Sequence, residues 1–388
     1  MIKFLKYLLS YLTFPFSFLV PRSRKKIAFG SYKGTFDGNA KYLFIEMSEK
    51  GEDVVWLSPN RGLVKRLRSL GLCAESVFSL RGAWRALRSR IWFVNSYSSD
   101  ILWAFSGGAT VVNLWHGVGL KRTEFNSTTG PMYDRYIRRT FKQAFYHPEA
   151  YRKPDWLITA SDFQTPMFAS AFRVPEGRCL KFGYPRNRIL VCDSAEREDH
   201  IFRYEPAATA QLIEKLKTYD EVWIYMPTWR DSQLNVFTEQ MDLGKLNSAL
   251  AAKNALLLLK PHPNTITGPV EGVSNIMLIE GQADVYPILP YTNALITDYS
   301  SVLYDYILMK GKGVVLYTYD RANYVKERDF YYPFDENVIG RRAETFDDLM
   351  KAVVEGPEPL DEAERKALVA KFWGPKPFDY DFSNCLHI

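Results

Sequence analysis

The sequence predicts an α/β protein with two Rossmann-like domains that face a cleft. Short apolar runs rich in β-branched residues alternate with helix-like patterns along most of the 388 residues. This alternation is typical of parallel sheets wound in βαβ units. The chain is also long for a single hydrophobic core, and a polar stretch around residues 185–215 separates two halves that both show the alternation.

In the first half, each predicted strand is a short apolar run. These runs lie at 25–30, 54–57, 91–94, 110–114 and 156–159. Helices are predicted where apolar residues recur every three or four positions. Those segments are 39–50, 63–70, 80–90, 131–147 and 163–172. Together they predict an N-terminal domain over residues 27–190.

The second half repeats the pattern and predicts a C-terminal domain over residues 191–375, followed by a tail at 376–388. Its predicted strands are 222–226, 255–259, 276–279, 294–297 and 314–317, and its predicted helices lie near 240–252, 301–310, 344–355 and 360–372. The sequence contains neither a GxGxxG motif nor a Walker A loop. A dinucleotide-binding or P-loop protein is therefore not supported.

The N-terminus is apolar and aromatic, and a basic cluster follows at 22–26. Its uncharged run from Leu8 to Val20 contains Pro15 and is shorter than the about 20 residues that a membrane-spanning helix needs. A cleaved signal peptide is not favoured, because the basic cluster lies on the wrong side of the apolar run. We predict that residues 1–26 are an interfacial membrane anchor. The alternative is a hydrophobic helix that packs on the protein itself.

The net charge of +6 is concentrated between residues 61 and 92, where Glu75 is the only acid. The basic residues of this segment are Arg61, Lys65, Arg66, Arg68, Arg81, Arg85, Arg88 and Arg90. A localised basic patch predicts an anionic partner. Nucleic acid is the alternative to an anionic membrane surface, but no nucleic-acid-binding motif is present and the apolar N-terminus favours lipid.

His116 is a candidate catalytic residue, because it directly follows the fourth predicted strand. Ligands of open α/β sheets bind at the carboxyl ends of strands, and histidine is suited to accept a proton near neutral pH. Gly117 and Gly119 would let another molecule approach the backbone, and Lys121 and Arg122 follow directly. We therefore consider His116 as a general base for an acceptor hydroxyl. The alternative is a histidine that only bonds to a backbone group.

Strand ends in the second half carry groups suited to binding phosphate. Lys260 and His262 lie in a turn that two prolines stiffen, although an ordinary surface turn is the alternative. Arg230 can bind phosphate with two parallel hydrogen bonds, or form a salt bridge to the next residue. Ser300 and Ser301 precede a predicted helix, where hydroxyl and backbone N–H groups favour an anion. A simple N-cap is the alternative there.

The order of several motifs carries a family resemblance. The motifs are NLWHG at 113–117, GYPRN at 183–187, YMPTWRD at 225–231, KPHP at 260–263 and TDYSSVLYDY at 297–306. Together they resemble the CDP-glycerol glycerophosphotransferase family, the polymerases and primases of teichoic acids and related capsule polymers. Residues 38–41 and Asp320, Tyr324 and Arg328 also fit this family.

The resemblance implies a GT-B fold whose C-terminal domain binds the nucleotide donor. Its N-terminal domain is implied to bind the acceptor and to hold the protein peripherally at the cytoplasmic face of the membrane. The implied catalytic residues are His116 and His262. The predicted donor-binding residues are Thr228, Arg230, Lys260, His262, Ser300, Ser301, Asp320 and Arg328. The residues predicted to contact the acceptor or membrane are Lys121, Arg122, Arg81, Arg85 and Arg88.

The expected reaction is transfer of glycerol phosphate, or a related polyol phosphate, from a CDP-alcohol to a hydroxyl of a lipid-linked acceptor. The acceptor is expected to be an undecaprenyl-diphosphate-linked glycan or a teichoic-acid-like chain, and CMP is released. One alternative is a GT-B glycosyltransferase that uses a nucleotide sugar in capsule or O-antigen synthesis. Another is a non-catalytic membrane scaffold. No cofactor and no structural metal site are expected, and a need for a divalent metal is left open.

Overall fold

The computed structural model describes residues 2–228, 241–261, 272–279, 284–321, 324 and 329–382. The chain divides into two compact units: an N-terminal unit of residues up to 186 together with those from 373, and a C-terminal unit of residues 187–372. Each unit contains one sheet, and its described strands all pair in parallel. The predicted α/β class with two parallel sheets is therefore confirmed.

The N-terminal unit has a seven-stranded sheet in the order β3-β2-β1-β4-β5-β6-β7. Its strands are β1 (Ser23–Gly30), β2 (Val54–Ser58), β3 (Ala74–Ser76), β4 (Ser89–Val94), β5 (Thr110–Asn113), β6 (Trp156–Ile158) and β7 (Cys179–Leu180). The order reverses between β1 and β4, and ligands of doubly wound sheets bind at such a switch point. Helices cover both faces of a sheet of this kind, so every residue of β2 is buried.

The helices of this unit follow the predicted pattern with one exception. They are α1 (Ile2–Ser17), α2 (Gly38–Glu49), α3 (Arg61–Ser69), α4 (Leu80–Arg88), α5 (Gly130–Tyr133), α6 (Phe141–Tyr146) and α7 (Thr165–Phe172). The prediction of one continuous helix over 131–147 is wrong. A π-helical turn at Asp134–Arg138 follows α5, and Arg139 then adopts a left-handed φ of 49°. A residue in that conformation ends a helix, so α6 begins as a separate element.

The C-terminal unit has a six-stranded sheet in the order β10-β9-β8-β11-β12-β13. Its strands are β8 (Glu221–Met226), β9 (Ala255–Leu259), β10 (Ile276–Leu278), β11 (Ala294–Thr297), β12 (Gly313–Tyr317) and β13 (Arg341–Ala343). The first strand again lies in the middle, so the switch point falls between β8 and β11. Large apolar side chains from the sheet pack with those of the covering helices, including Trp223, Leu246 and Leu349.

The described helices of the C-terminal unit include three that lie in the stretch 185–215, where the sequence shows mainly polar residues. They are α8 (Arg188–Val191), α9 (Ser194–Tyr204), α10 (Ala207–Leu216), α11 (Leu243–Ala251), α12 (Val302–Tyr306), α13 (Phe346–Glu355) and α14 (Glu362–Trp373). In α9 and α10 a few apolar side chains, such as Ile201 and Ile213, are buried while the charged residues face outward. The polar composition therefore reflects amphipathic helices.

Helix α1 packs on the N-terminal unit through one aromatic face. Phe14 stacks on Trp103 with ring centroids 4.4 Å apart, and Tyr11 contacts both Trp103 and Phe145. The opposite face is exposed and apolar. Its residues are Leu5, Leu8, Leu9, Leu12 and Phe16. Self-packing thus accounts for one face of the predicted anchor and leaves the other exposed. Within the described residues, no helix is long and apolar enough to cross a bilayer.

Arg22 fixes the connection between α1 and β1. Its guanidinium donates hydrogen bonds to the backbone carbonyls of Ala86, Ser89, Phe105 and Gly107. Burial lowers the pKa of Arg22 to about 10, so the side chain remains charged at neutral pH. Hydrogen bonds from a charged donor are stronger than neutral ones. This residue therefore holds the base of α1 against the N-terminal unit.

Candidate functional site

His116 lies on a tightly held turn at the end of β5. The preceding residue, Trp115, has a φ of 53°, which costs a bulky residue about 1–3 kcal/mol. The Trp115 N–H donates to Asn113 Oδ1 at 2.8 Å, and Asn39 Nδ2 donates to the Trp115 carbonyl at 2.9 Å. The Trp115 ring packs edge-on against Phe172. These contacts maintain a strained backbone directly before the candidate base.

The imidazole of His116 is held at Nδ1. This nitrogen lies 3.4 Å from the Asn95 carbonyl oxygen and 3.4 Å from Ser96 Oγ. A carbonyl oxygen can only accept, so the contact to Asn95 favours the tautomer that has its proton on Nδ1 and its lone pair on Nε2. His116 is exposed. Since β4 and β5 are neighbours in the sheet, residues 95–96 and His116 meet beside the switch point.

The residues predicted to contact the acceptor or membrane differ in their surroundings. Lys121 is half-buried and Arg122 is exposed. Arg81 forms an ion pair with Glu75 at 3.2 Å, and Arg85 pairs with Asp53 at 2.6 Å. A further arginine, Arg88, donates to the carbonyl of Pro21 and lies over the ring of Trp84. Part of the basic charge is therefore compensated within the N-terminal unit.

In the C-terminal unit, Thr228 and Asp298 join two strand ends at the switch point. The Thr228 N–H donates to Asp298 Oδ1 at 2.9 Å, and the Thr228 hydroxyl donates to the same oxygen at 2.6 Å. The N–H of Tyr299 also donates to Asp298 Oδ1, at 2.6 Å. Asp298 is buried. Because the hydroxyl proton of Thr228 is directed at Asp298, Thr228 shapes this turn.

Other predicted donor-binding residues lie at the ends of neighbouring strands in the same sheet. Lys260 directly follows β9 and is buried, with its N–H donating to the Tyr225 carbonyl at 2.9 Å. Asp320 lies shortly after β12, where its carboxylate accepts from the Tyr299 hydroxyl at 3.4 Å. The strands β9, β8, β11 and β12 are adjacent. Their carboxyl ends therefore bring Thr228, Lys260, Asp320 and the serine pair of the next turn to one edge of the sheet.

Ser300 and Ser301 lie in the turn that begins α12. The predicted helix over 301–310 is too long, because α12 spans only Val302–Tyr306 and turns follow it. Ser301 occupies the N-cap position but makes no side-chain capping bond. Ser300 Oγ instead accepts the N–H of Val302 at 3.4 Å. A helix this short has a small dipole, so hydroxyl and local N–H groups remain the main anion-binding features of the turn.

Three of the predicted site residues, Arg230, His262 and Arg328, lie outside the described residues. In the described part of the chain, no three His, Cys, Asp or Glu side chains are placed to hold a metal ion.

The sequence interpretation did not single out Asn39, Asn95, Ser96, Asp100 or Asp298 as site residues. All of them are buried. Asn95, Ser96 and Asp298 directly follow the central strands β4 and β11, so their position after an apolar run was a usable signal. That signal becomes specific only when the strand order is known, because most strand ends do not border a switch point.

Comparison with known proteins identifies the family. The model described as CDP-Glycerol:Poly(glycerophosphate) glycerophosphotransferase matches residues 12–373. The chain belongs to this family. The predicted family and the predicted enzyme class, CDP-glycerol glycerophosphotransferase, are therefore confirmed.

Individual relatives agree with this assignment. The teichoic acid glycerol-phosphate transferase of Staphylococcus aureus (strain NCTC 8325 / PS 47) is 25% identical over 374 residues, covering 93% of this chain and 90% of the relative. The teichoic acid poly(glycerol phosphate) polymerase of Bacillus subtilis (strain 168) is 26% identical over 360 residues, covering 88% of this chain but only 45% of the polymerase. The chain thus matches less than half of that polymerase's length.

A solved structure supports the fold. The solved structure of the wall teichoic acid polymerase TagF matches with a TM-score of 0.70 and 23% sequence identity, covering 95% of this chain and 90% of that chain. This likeness confirms the GT-B-like fold predicted for this member of the glycerophosphotransferase family.

Proposed function

We propose that the protein transfers glycerol phosphate, or a related polyol phosphate, from a CDP-alcohol to a hydroxyl of a lipid-linked glycan or teichoic-acid-like acceptor. Membership of the glycerophosphotransferase family supports a CDP-alcohol donor over the nucleotide sugar of the alternative. The observation that carries the proposal is the geometry of His116. Its Nδ1 faces the Asn95 carbonyl and the residue is exposed at the end of β5, so Nε2 is the proposed base.

In the proposed reaction, Nε2 of His116 takes the proton of the acceptor hydroxyl. The acceptor oxygen forms a bond to the phosphorus that carries the polyol, and the bond from this phosphorus to the bridging oxygen breaks. CMP leaves with the electron pair. Transfer of this kind depends mainly on alignment and on stabilisation of charge, and a positioned general base contributes about 10²–10⁴-fold.

The C-terminal unit is proposed to bind the diphosphate of the donor at the switch point of its sheet. Support comes from Lys260, Ser300 and Ser301, which lie at the ends of adjacent or neighbouring strands. A lysine ammonium and hydroxyl or backbone N–H donors stabilise the charge that develops on a leaving phosphate. Arg230, His262, Asp320 and Arg328 remain predicted donor-binding residues, and His262 remains a predicted catalytic residue.

The N-terminal unit is proposed to bind the cytoplasmic face of the membrane, where a lipid-linked acceptor would be available. The exposed apolar face of α1 supports this, because such a face inserts at the boundary of head groups and acyl chains. Two neighbouring aromatic side chains extend this surface. Lys6 of α1 lies 5.9 Å from the ring of the exposed Phe78, and the exposed Phe141 stacks on Phe145, which also stacks on Phe4.

The direct test is release of CMP from CDP-glycerol in the presence of a lipid-linked disaccharide acceptor. We expect His116→Ala to lower kcat by about 10²–10⁴-fold. His200→Ala is a matched control, because His200 lies on α9 and pairs with Glu205 away from the strand ends. Equal turnover of the two variants would show that His116 is not the base. CMP release that does not require an acceptor hydroxyl would contradict the proposed transfer.

A further inference from the structure

A buried carboxyl group lies behind the segment that holds His116. Asp100 ends a short 3₁₀ turn at Ser98–Asp100 and is only 3% exposed. Its Oδ2 accepts the N–H of Ser96 at 2.8 Å, and its own N–H donates to the Tyr97 carbonyl at 2.9 Å. The Asp100 backbone also lies so close to β1 that a Cβ on Gly30 would come within 2.6 Å of its carbonyl oxygen.

The same segment is fixed from its other sides. The Asn95 side chain donates to Ser31 Oγ at 2.9 Å and to the Asp37 carbonyl at 3.0 Å. Asn113 Nδ2 donates to the Ser96 carbonyl at 2.7 Å. The other atom of this amide, Asn113 Oδ1, accepts the N–H of Trp115. One side chain therefore connects the segment that contacts Nδ1 with the turn that carries His116.

We infer that Asp100 is a positioning residue for His116, acting through the backbone of residues 95–97. The inference rests on the proposed role of His116 as the base. The Asn95 carbonyl and the Ser96 hydroxyl both lie 3.4 Å from His116 Nδ1, near the long end of the hydrogen-bond range. Contacts this long orient a ring only if their backbone is rigid. Asp100 supplies that rigidity, because its carboxylate holds the Ser96 N–H directly between the two contacts.

The electrostatic surroundings of Asp100 are consistent with a structural role for its carboxyl group. Burial raises the pKa of Asp100 to about 7, although hydrogen bonds from the backbone of residues 95–97 act in the opposite direction and Asp37 raises it further. Burying an ionisable group is costly unless its hydrogen bonds are satisfied. Here those bonds are directed at the segment that contacts the candidate base.

The test combines kinetics with the tautomer of His116. Nitrogen-15 shifts of the imidazole distinguish a proton on Nδ1 from one on Nε2, and the chain has only five histidines, so loss of one signal pair in His116→Ala assigns the residue. In the wild type we expect the Nδ1–H tautomer. In Asp100→Asn we expect a mixture of tautomers and a kcat lower by roughly 10- to 100-fold. The KM for CDP-glycerol should change by less than about twofold, because donor binding is proposed for the C-terminal unit.

Ser98→Ala is the matched control, because Ser98 lies in the same buried turn and its hydroxyl has no hydrogen-bond partner among the described residues. It should keep both the tautomer and kcat. An unchanged tautomer with near-normal kcat in Asp100→Asn would overturn the inference. A wild-type His116 protonated on Nε2 would do so without any variant, even if Asp100→Asn fails to fold. Failure of the proposed function would be seen separately. In that case the wild type would release no CMP from CDP-glycerol, while Asp100→Asn would still change the tautomer of His116.

Discussion

At the scale of single residues, a second buried carboxyl makes stability depend on pH. Glu124 is 1% exposed and accepts a hydrogen bond from the Tyr97 hydroxyl, while its other oxygen has no hydrogen-bond partner in the described part of the chain. Burial raises its pKa to about 7, against hydrogen bonds from Tyr136 and Tyr97 that lower it. The folded state therefore holds the proton more tightly than the unfolded state.

This shift predicts the effect of Glu124→Gln. Above pH 7 the ionised wild-type carboxyl destabilises the fold, and this cost disappears as the pH falls towards 4.5. The wild-type free energy of unfolding should thus gain up to about 1.4 kcal/mol per pH unit from this group as the pH falls from 7 to 5. Glu124→Gln should lack that contribution in urea titrations at several pH values. Glu176 is exposed, so Glu176→Gln is the control and should show the wild-type dependence of the free energy of unfolding on pH. The same dependence in Glu124→Gln as in the wild type would contradict the prediction.

The sequence predicts which residues lie at strand ends better than it predicts which groups those residues contact. His116 was expected at a strand end, and it follows β5. Lys260 likewise follows β9, because a buried apolar run that ends in a charged residue marks the end of a strand. The partners of His116 could not be predicted. They come from β4 and the turn after it, and the pairing of β4 with β5 depends on the strand order of the sheet.

At the scale of elements, the sequence predicts strands well when they are long and buried on both faces. Val54–Ser58 and Ala255–Leu259 are such runs. The strands β3, β7 and β13 were not predicted, because β3 (AES) and β13 (RRA) are short and contain charged residues, and β7 (CL) has only two residues. Helix ends were less predictable. The left-handed Arg139 that divides the region 131–147 leaves no signal in composition, since that conformation usually favours glycine or asparagine.

The exposed face of α1 gives a prediction at this scale. Leu9 and Leu12 are 61% and 59% exposed, and insertion of each into a bilayer would contribute about 1.5–3 kcal/mol. Leu9→Ser together with Leu12→Ser should therefore lower the binding of the full chain to anionic liposomes by roughly tenfold or more per leucine, as measured by flotation. The fold should persist, because the opposite aromatic face makes the packing contacts.

Phe202→Ser is the control for this experiment. Phe202 is 86% exposed but lies on α9 in the C-terminal unit, so its loss removes a similar apolar surface from a different place. Liposome binding that falls equally in both variants would indicate nonspecific hydrophobic adsorption to the liposomes. Binding that is unchanged in the α1 variant would reject the proposed membrane surface.

At the scale of the whole molecule, the same strand order appears in both sheets. The N-terminal unit begins in the order β3-β2-β1-β4 and the C-terminal unit in the order β10-β9-β8-β11. Each unit therefore has a switch point, and candidate functional residues lie at each switch point. This arrangement follows from right-handed crossovers that start at a central strand. The sequence predicts two alternating halves, but it does not show which strand is central.

The switch point of the C-terminal unit leads to a last prediction, about the class of donor. A ligand that binds only the folded state adds RT ln(1 + [L]/Kd), about 2.7 kcal/mol at 100 times Kd. We expect CDP-glycerol to raise the melting temperature of the protein and UDP-sugars to leave it unchanged. Thr228→Val should reduce this ligand-induced shift, because it removes the hydroxyl that donates to Asp298 at 2.6 Å and so loosens the turn between β8 and β11.

Thr228→Val should also be less stable than the wild type without ligand, because the buried carboxylate of Asp298 loses one hydrogen-bond donor, which costs about 1–3 kcal/mol. The quantity to compare is therefore the shift caused by the ligand, measured against the starting melting temperature of each protein. Thr218→Val is the control, because Thr218 is exposed and donates only to the nearby Lys215 carbonyl. A full shift in Thr228→Val would place the donor away from this strand end, and stabilisation by UDP-sugars in place of CDP-glycerol would reject the CDP-alcohol donor.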